Sequence, residues 1–163
     1  MEHQPGLAAT AVATSGGFAD GVSCLDGGEA GLLAVADPGL GSRILVMLPG
    51  GLEIACALLR RGRTNVATAR LTDRPRAGQM DVVMMPSIPS AEFLQRAIPY
   101  AHRVLAALGT VVIHLDGSLP PGLVQQARRQ LASEGFGAVQ VRSSFHDTLL
   151  RAEMPLFGQL QCA

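Results

Sequence analysis

Ala101-His102-Arg103-Val104-Leu105-Ala106-Ala107-Leu108-Gly109-Thr110-Val111-Val112-Ile113 carries the end of a helical pattern, a glycine and the start of a buried strand within thirteen residues. Phe93, Leu94, Ala97, Ile98, Ala101, Val104, Leu105 and Leu108 recur at helical spacing, which predicts a helix over Ala91–Leu108 with Ser90 as its N-cap. Pro99 lies inside that pattern and is expected to kink or split it near Ile98. Gly109 closes the helix, and Thr110–Leu115 is apolar enough for a strand covered on both faces. Downstream, Pro120-Pro121 opens a helix running to about Ser133, and Gly135 follows it. Ala138–Arg142 and Thr148–Ala152 read as closing strands. Their link, Ser143–Asp147, is short enough for an antiparallel hairpin.

The same alternation extends upstream. Arg43–Leu48 is an apolar strand ended by Pro49-Gly50-Gly51. Leu52–Arg61 is a helix stopped by Gly62. Asn65–Leu71 is a second strand, Thr72–Gln79 a polar turn, and Met80–Met85 a third strand. Glu29–Ala36 is a short helix before Asp37-Pro38-Gly39, and residues 1–28 form a flexible Gly/Ala-rich arm. The order β-α-β-β-α-β-α-β-β predicts one α/β domain over 29–163, with a mostly parallel sheet of about six strands.

Composition removes several function classes. All 13 basic residues are arginines. A Walker loop or a pyridoxal Schiff base needs a lysine, so both are excluded. The 13 arginines balance the 13 carboxylates, tryptophan is absent and Tyr100 is the single tyrosine. A base-stacking nucleic-acid surface is therefore not expected. No apolar run approaches the ~18 residues of a membrane helix. Cys24, Cys56 and Cys162 are odd in number and widely spaced, which points to a reducing, cytoplasmic setting and to no zinc site. The lysine-free, Ala/Gly-rich composition reads as bacterial genomic bias.

Three stretches resemble the class I S-adenosylmethionine-dependent methyltransferases, whose fold is a three-layer α/β/α Rossmann-like sandwich. Arg43–Gly51 resembles the first strand and glycine loop. Ala101–Ile113 resembles the helix, glycine turn and strand ahead of the substrate region. Gly135–Arg142 with Thr148–Ala152 resembles the reversed C-terminal hairpin. The resemblance implies a cofactor bound by Pro49, Gly50, Gly51, Asp73, Met85 and Pro86, and a substrate near Ser87, His114 and Asp116. Glycine permits close backbone approach there, and His114-x-Asp116 ends a strand where open sheets hold their ligands. A histidine in that place could act as a general base.

The departures from the family are specific. Its first strand ends in a carboxylate, where this chain has Met47 and Leu48; Glu53 is the nearest substitute. Asp73 is the one candidate for the ribose hydroxyls. The eight residues of Thr72–Gln79 reach roughly 26 Å at ~3.3 Å each, enough to return along a strand but too short for a helical crossover. The family's third strand, which covers the adenine, is thus expected to be missing, leaving an open edge for a second copy, a protein partner or the arm. The resulting expectation is a degenerate, non-catalytic binding or assembly module that binds S-adenosylmethionine weakly or not at all. The alternatives are an active methyltransferase for a small molecule or protein, and an unrelated flavodoxin-like nucleotide binder.

Overall fold

The computed structural model describes residues 29–144 and 146–156; the expected arm at 1–28 lies outside them. The elements are α1 (Glu29–Ala36), β1 (Ile44–Met47), α2 (Gly51–Arg60), β2 (Val66–Ala69), β3 (Met80–Met85), α3 (Ala91–Val104), β4 (Leu105–Asp116), α4 (Leu123–Ser133), β5 (Gln140–Ser143) and β6 (Asp147–Glu153). The six strands lie in the order β2-β1-β3-β4-β6-β5. Strands β1 to β4 are parallel, and β6 is antiparallel to both of its neighbours.

The pleat sorts the core into two layers. Leu45, Met47, Val83, Met85, Val111 and Ile113 point to the side packed by α3 and α4. Ile44, Val46, Val82, Met84 and Val112 point to the side packed by α1 and α2. Because β1, β3 and β4 are covered on both faces, their central residues, 44–47, 82–85 and 111–113, are continuously apolar. No helix among the described residues is long and apolar enough to cross a membrane.

Two details of α3 differ from the expectation. The helix ends at Val104 rather than Leu108, and β4 starts at Leu105 rather than Thr110. Gly78 and Gln79 donate their N–H groups to the carbonyls of Arg103 and Val104, so the chain is captured there by the loop before β3. Leu105 is already extended, and Leu108 takes a positive φ of 62° in an irregular stretch where the β3–β4 register shifts. The second difference is that α3 continues through Pro99. A proline at 99 cannot donate to the carbonyl of Gln95. The Gln130 side chain of α4 donates to that carbonyl instead, at 2.7 Å. Ser90 does cap the helix, accepting the Phe93 N–H at 3.1 Å. Ser90→Ala is expected to cost about 1 kcal/mol in urea denaturation.

No strand or helix occurs between β2 and β3 among the described residues, so β2 is an edge strand paired only with β1. The carbonyls of Asn65 and Ala69 accept from the N–H groups of Ile44 in β1 and of Leu48 just after it. In a parallel ladder alternate residues bond the same neighbour, so the backbone groups of Val66, Thr68 and Arg70 face outward.

Candidate functional site

The loop after β1, the loop after β3 and the end of β4 meet at the carboxyl ends of the parallel strands. Open α/β sheets place ligands there. Gly50 has a φ of 80° and precedes the first turn of α2. A Cβ on Gly50 would lie 2.8 Å from Cβ of Ser87, and one on Gly51 would lie 2.7 Å from Cγ1 of Val46. The two glycines thus let the β1 loop close onto the chain's own side chains. Pro49 beside them is exposed.

Met85 is fully buried in the core facing α3, and Pro86 is buried next to it. His114 is clamped from two sides. Its Nδ1 lies 2.9 Å from the Pro86 carbonyl oxygen and its Nε2 lies 2.9 Å from Oδ1 of Asp147. The side chains of His114 and Asp147 are only 13% and 22% exposed. Both ring nitrogens are therefore engaged by the chain's own oxygens.

Asp116 accepts the N–H of Ser118 at 2.9 Å. That bond is the main reason its carboxyl lies below the usual carboxylate range, and His114 and His146 add to it. Ser87, Pro89, His114, Asp116, Ser118 and Leu119 line a cleft of about 270 Å³. Asp73 lies in the turn after β2: its Oδ2 accepts the Arg70 N–H at 2.7 Å and its own N–H donates to the Arg70 carbonyl. Asp73 therefore closes the turn after β2. Glu53 lies on α2 in a cleft with Leu52, Cys56 and Arg60. No group of metal-ligating side chains occurs among the described residues.

No protein-family model matches the sequence, and no curated protein matches it. Solved structures do. A T. thermophilus 16S rRNA methyltransferase in complex with AdoMet and guanosine is 18% identical with a TM-score of 0.58, over 80% of this chain and 40% of that one. A methyltransferase from Pyrococcus furiosus is 15% identical with a TM-score of 0.53, over 78% and 81% of the two chains. A predicted O-methyltransferase from Agrobacterium tumefaciens is 18% identical with a TM-score of 0.53, over 80% and 88%. This chain spans less than two-thirds of several of the solved structures it matches. The fold is that of the class I methyltransferases.

Within the methyltransferase fold, the residues present are a poor match to S-adenosylmethionine. Gly50 approaches Ser87 so closely that a Cβ there would stand 2.8 Å from Cβ of Ser87. The one carboxylate after β2 already serves its own turn. The elements that would cover an adenine are absent between β2 and β3 among the described residues. The sequence reading placed Pro49, Gly50, Gly51, Pro86, Ser87, His114 and Asp116 in one region, and the structure brings them there. It leaves Asp73 in a separate turn. Asp147 was missed as a partner of His114. The antiparallel register pairs His114 with Leu149, which puts Asp147 on the diagonal, within reach of a long side chain. That pairing was the available signal. Tyr100 was also passed over: its buried hydroxyl has no hydrogen-bond partner among the described residues. Burial raises its pKa, with Asp73 adding and Arg103 opposing.

Proposed function

We propose that this chain is a methyltransferase-fold domain that does not transfer methyl groups and acts as a cytoplasmic binding or assembly module. The observation that supports this reading is the close approach of the Gly50 loop to Ser87, where a Cβ on Gly50 would stand 2.8 Å from Cβ of Ser87. The clamped His114 and the engaged Asp73 support it. Leu52 and Leu59, 65% and 53% exposed on α2, offer apolar surface of the kind that marks partner contacts. A second reading, methyl transfer to a small molecule or protein, draws on the cleft beside His114 and Ser87.

Calorimetry with S-adenosylmethionine and S-adenosylhomocysteine separates the two. The expected dissociation constant is above ~100 µM, weaker than roughly 5.5 kcal/mol. Two lost charged hydrogen-bond partners at about 1.5–3 kcal/mol each account for that weakness. Low-micromolar binding that Asp73→Ala weakens would overturn the proposal and put methyl transfer first.

A further inference from the structure

One face of α2 packs on the sheet through Ile54, Ala55 and Leu58, and the opposite face is turned to solvent. On that outer face Leu52, Glu53, Leu59 and Arg60 are exposed and Cys56 is half-buried. Leu52 and Leu59 are the two large exposed apolar residues that share a helix among the described residues. At about 100° per residue they lie roughly 20° apart around the helix axis. Glu53 and Arg60 also lie roughly 20° apart, and Cys56 falls midway between the two pairs. The outer face is thus a leucine row and a charged row on either side of a cysteine.

Neither charge is answered by the chain itself. Glu53 and Arg60 stand about 10.5 Å apart along the axis, too far to pair with each other. Neither has an ion-pair partner among the described residues. The spacing has a symmetry of its own. Leu52 and Leu59 straddle a point just before Cys56, and Glu53 and Arg60 straddle a point just after it. A two-fold axis beside Cys56, perpendicular to the helix, turns a second α2 antiparallel to the first. It keeps each row on its own side and reverses the order along it.

We propose that α2 is the contact surface of a two-fold homodimer, with Leu52 against Leu59 of the partner subunit, Glu53 against Arg60 of the partner subunit and the two Cys56 side chains near the axis. A closed two-fold contact is self-complementary, so each of these pairs occurs twice. A second copy answers both charges at once, whereas a wholly acidic or wholly basic partner would answer one and repel the other. Each helix has 10 residues and is about 15 Å long. One such helix pair falls short of the roughly 1,200 Å² of a standard interface, so the dimer belongs to the weak, concentration-dependent class. The inference names the partner for the assembly role proposed above. It rests on that reading only in taking the exposed α2 leucines as a contact surface: tight S-adenosylmethionine binding would overturn the reading and leave the dimer standing.

Sedimentation equilibrium on the full-length chain in reducing buffer tests it. The wild type is expected to show a monomer–dimer equilibrium with a dissociation constant between ~1 µM and ~1 mM. L52D/L59D should be monomeric with unchanged helix content by circular dichroism, since both positions are exposed. E53R and R60E should each weaken self-association at least about fivefold, because either one turns two opposite-charge contacts into like-charge ones. An equimolar mixture of E53R and R60E should dimerise again, since one chain then offers two positive charges and the other two negative ones. A wild type that stays monomeric at ~1 mM overturns the proposal. In that monomer, slow reaction of Cys56 with a thiol reagent in C24S/C162S would name another part of the chain as the cover, and fast reaction would leave the face to a different protein. The proposal is equally overturned by a dimer that L52D/L59D leaves intact, or by a mixture of E53R and R60E that associates no better than its components.

Discussion

Gly50→Val is expected to destabilise the domain by about 2–5 kcal/mol. A β-branched residue at a φ of 80° costs roughly 1–2 kcal/mol in backbone strain, and overpacking a filled site adds about 1–3 kcal/mol. The steric part has a named source, since the new Cβ would stand 2.8 Å from Cβ of Ser87. A double-mutant cycle with Gly50→Ala and Ser87→Gly isolates it. Ser87→Gly should recover about 1–2 kcal/mol in the Gly50→Ala background, measured by urea denaturation. If the two substitutions are additive, the glycine is not there to admit Ser87. A change in cofactor affinity without loss of stability would instead return Gly50 to a cofactor cradle.

The second large effect is expected at the histidine clamp. His114 ties the end of β3, through the Pro86 carbonyl, to the start of β6, through Asp147. His114→Ala should cost about 2–4 kcal/mol, because it removes two hydrogen bonds and strands a largely buried carboxylate. Asp147→Ala should cost about 1.5–3 kcal/mol, and the double variant should be close to the worse single one. Independent, additive losses below about 0.5 kcal/mol each would show that the clamp contributes nothing to stability. Exchange of the β6 amides gives a second readout. The 270 Å³ cleft lies beside this ring.

Much of the fold was legible in short stretches of chain. Buried strands announced themselves as apolar runs ended by glycine or proline, as at Arg43–Gly51 and Met80–Pro89. The eight residues at Thr72–Gln79 excluded a crossover on length alone, and β2 is indeed an edge. Ser90 was recognisable as a cap because its partner is three residues away. The end of α3 was not legible, since Val104, Leu105 and Leu108 fit a helical stripe as well as the start of a strand. The choice was made by the carbonyls of Arg103 and Val104 meeting the N–H groups of Gly78 and Gln79. The site followed the same division. The sequence placed the loops after β1, β3 and β4 together at the carboxyl ends of the strands, because topology dictates where they come out. Only tertiary packing put Ser87 against Gly50, Asp147 against a histidine 33 residues away, and Gln130 on the carbonyl left free by Pro99. The physical reason is range. Propensity, capping and apolar period act over a few residues and are written in the local order of the chain, whereas these contacts depend on strand register and helix packing, which exist only once distant segments share a core.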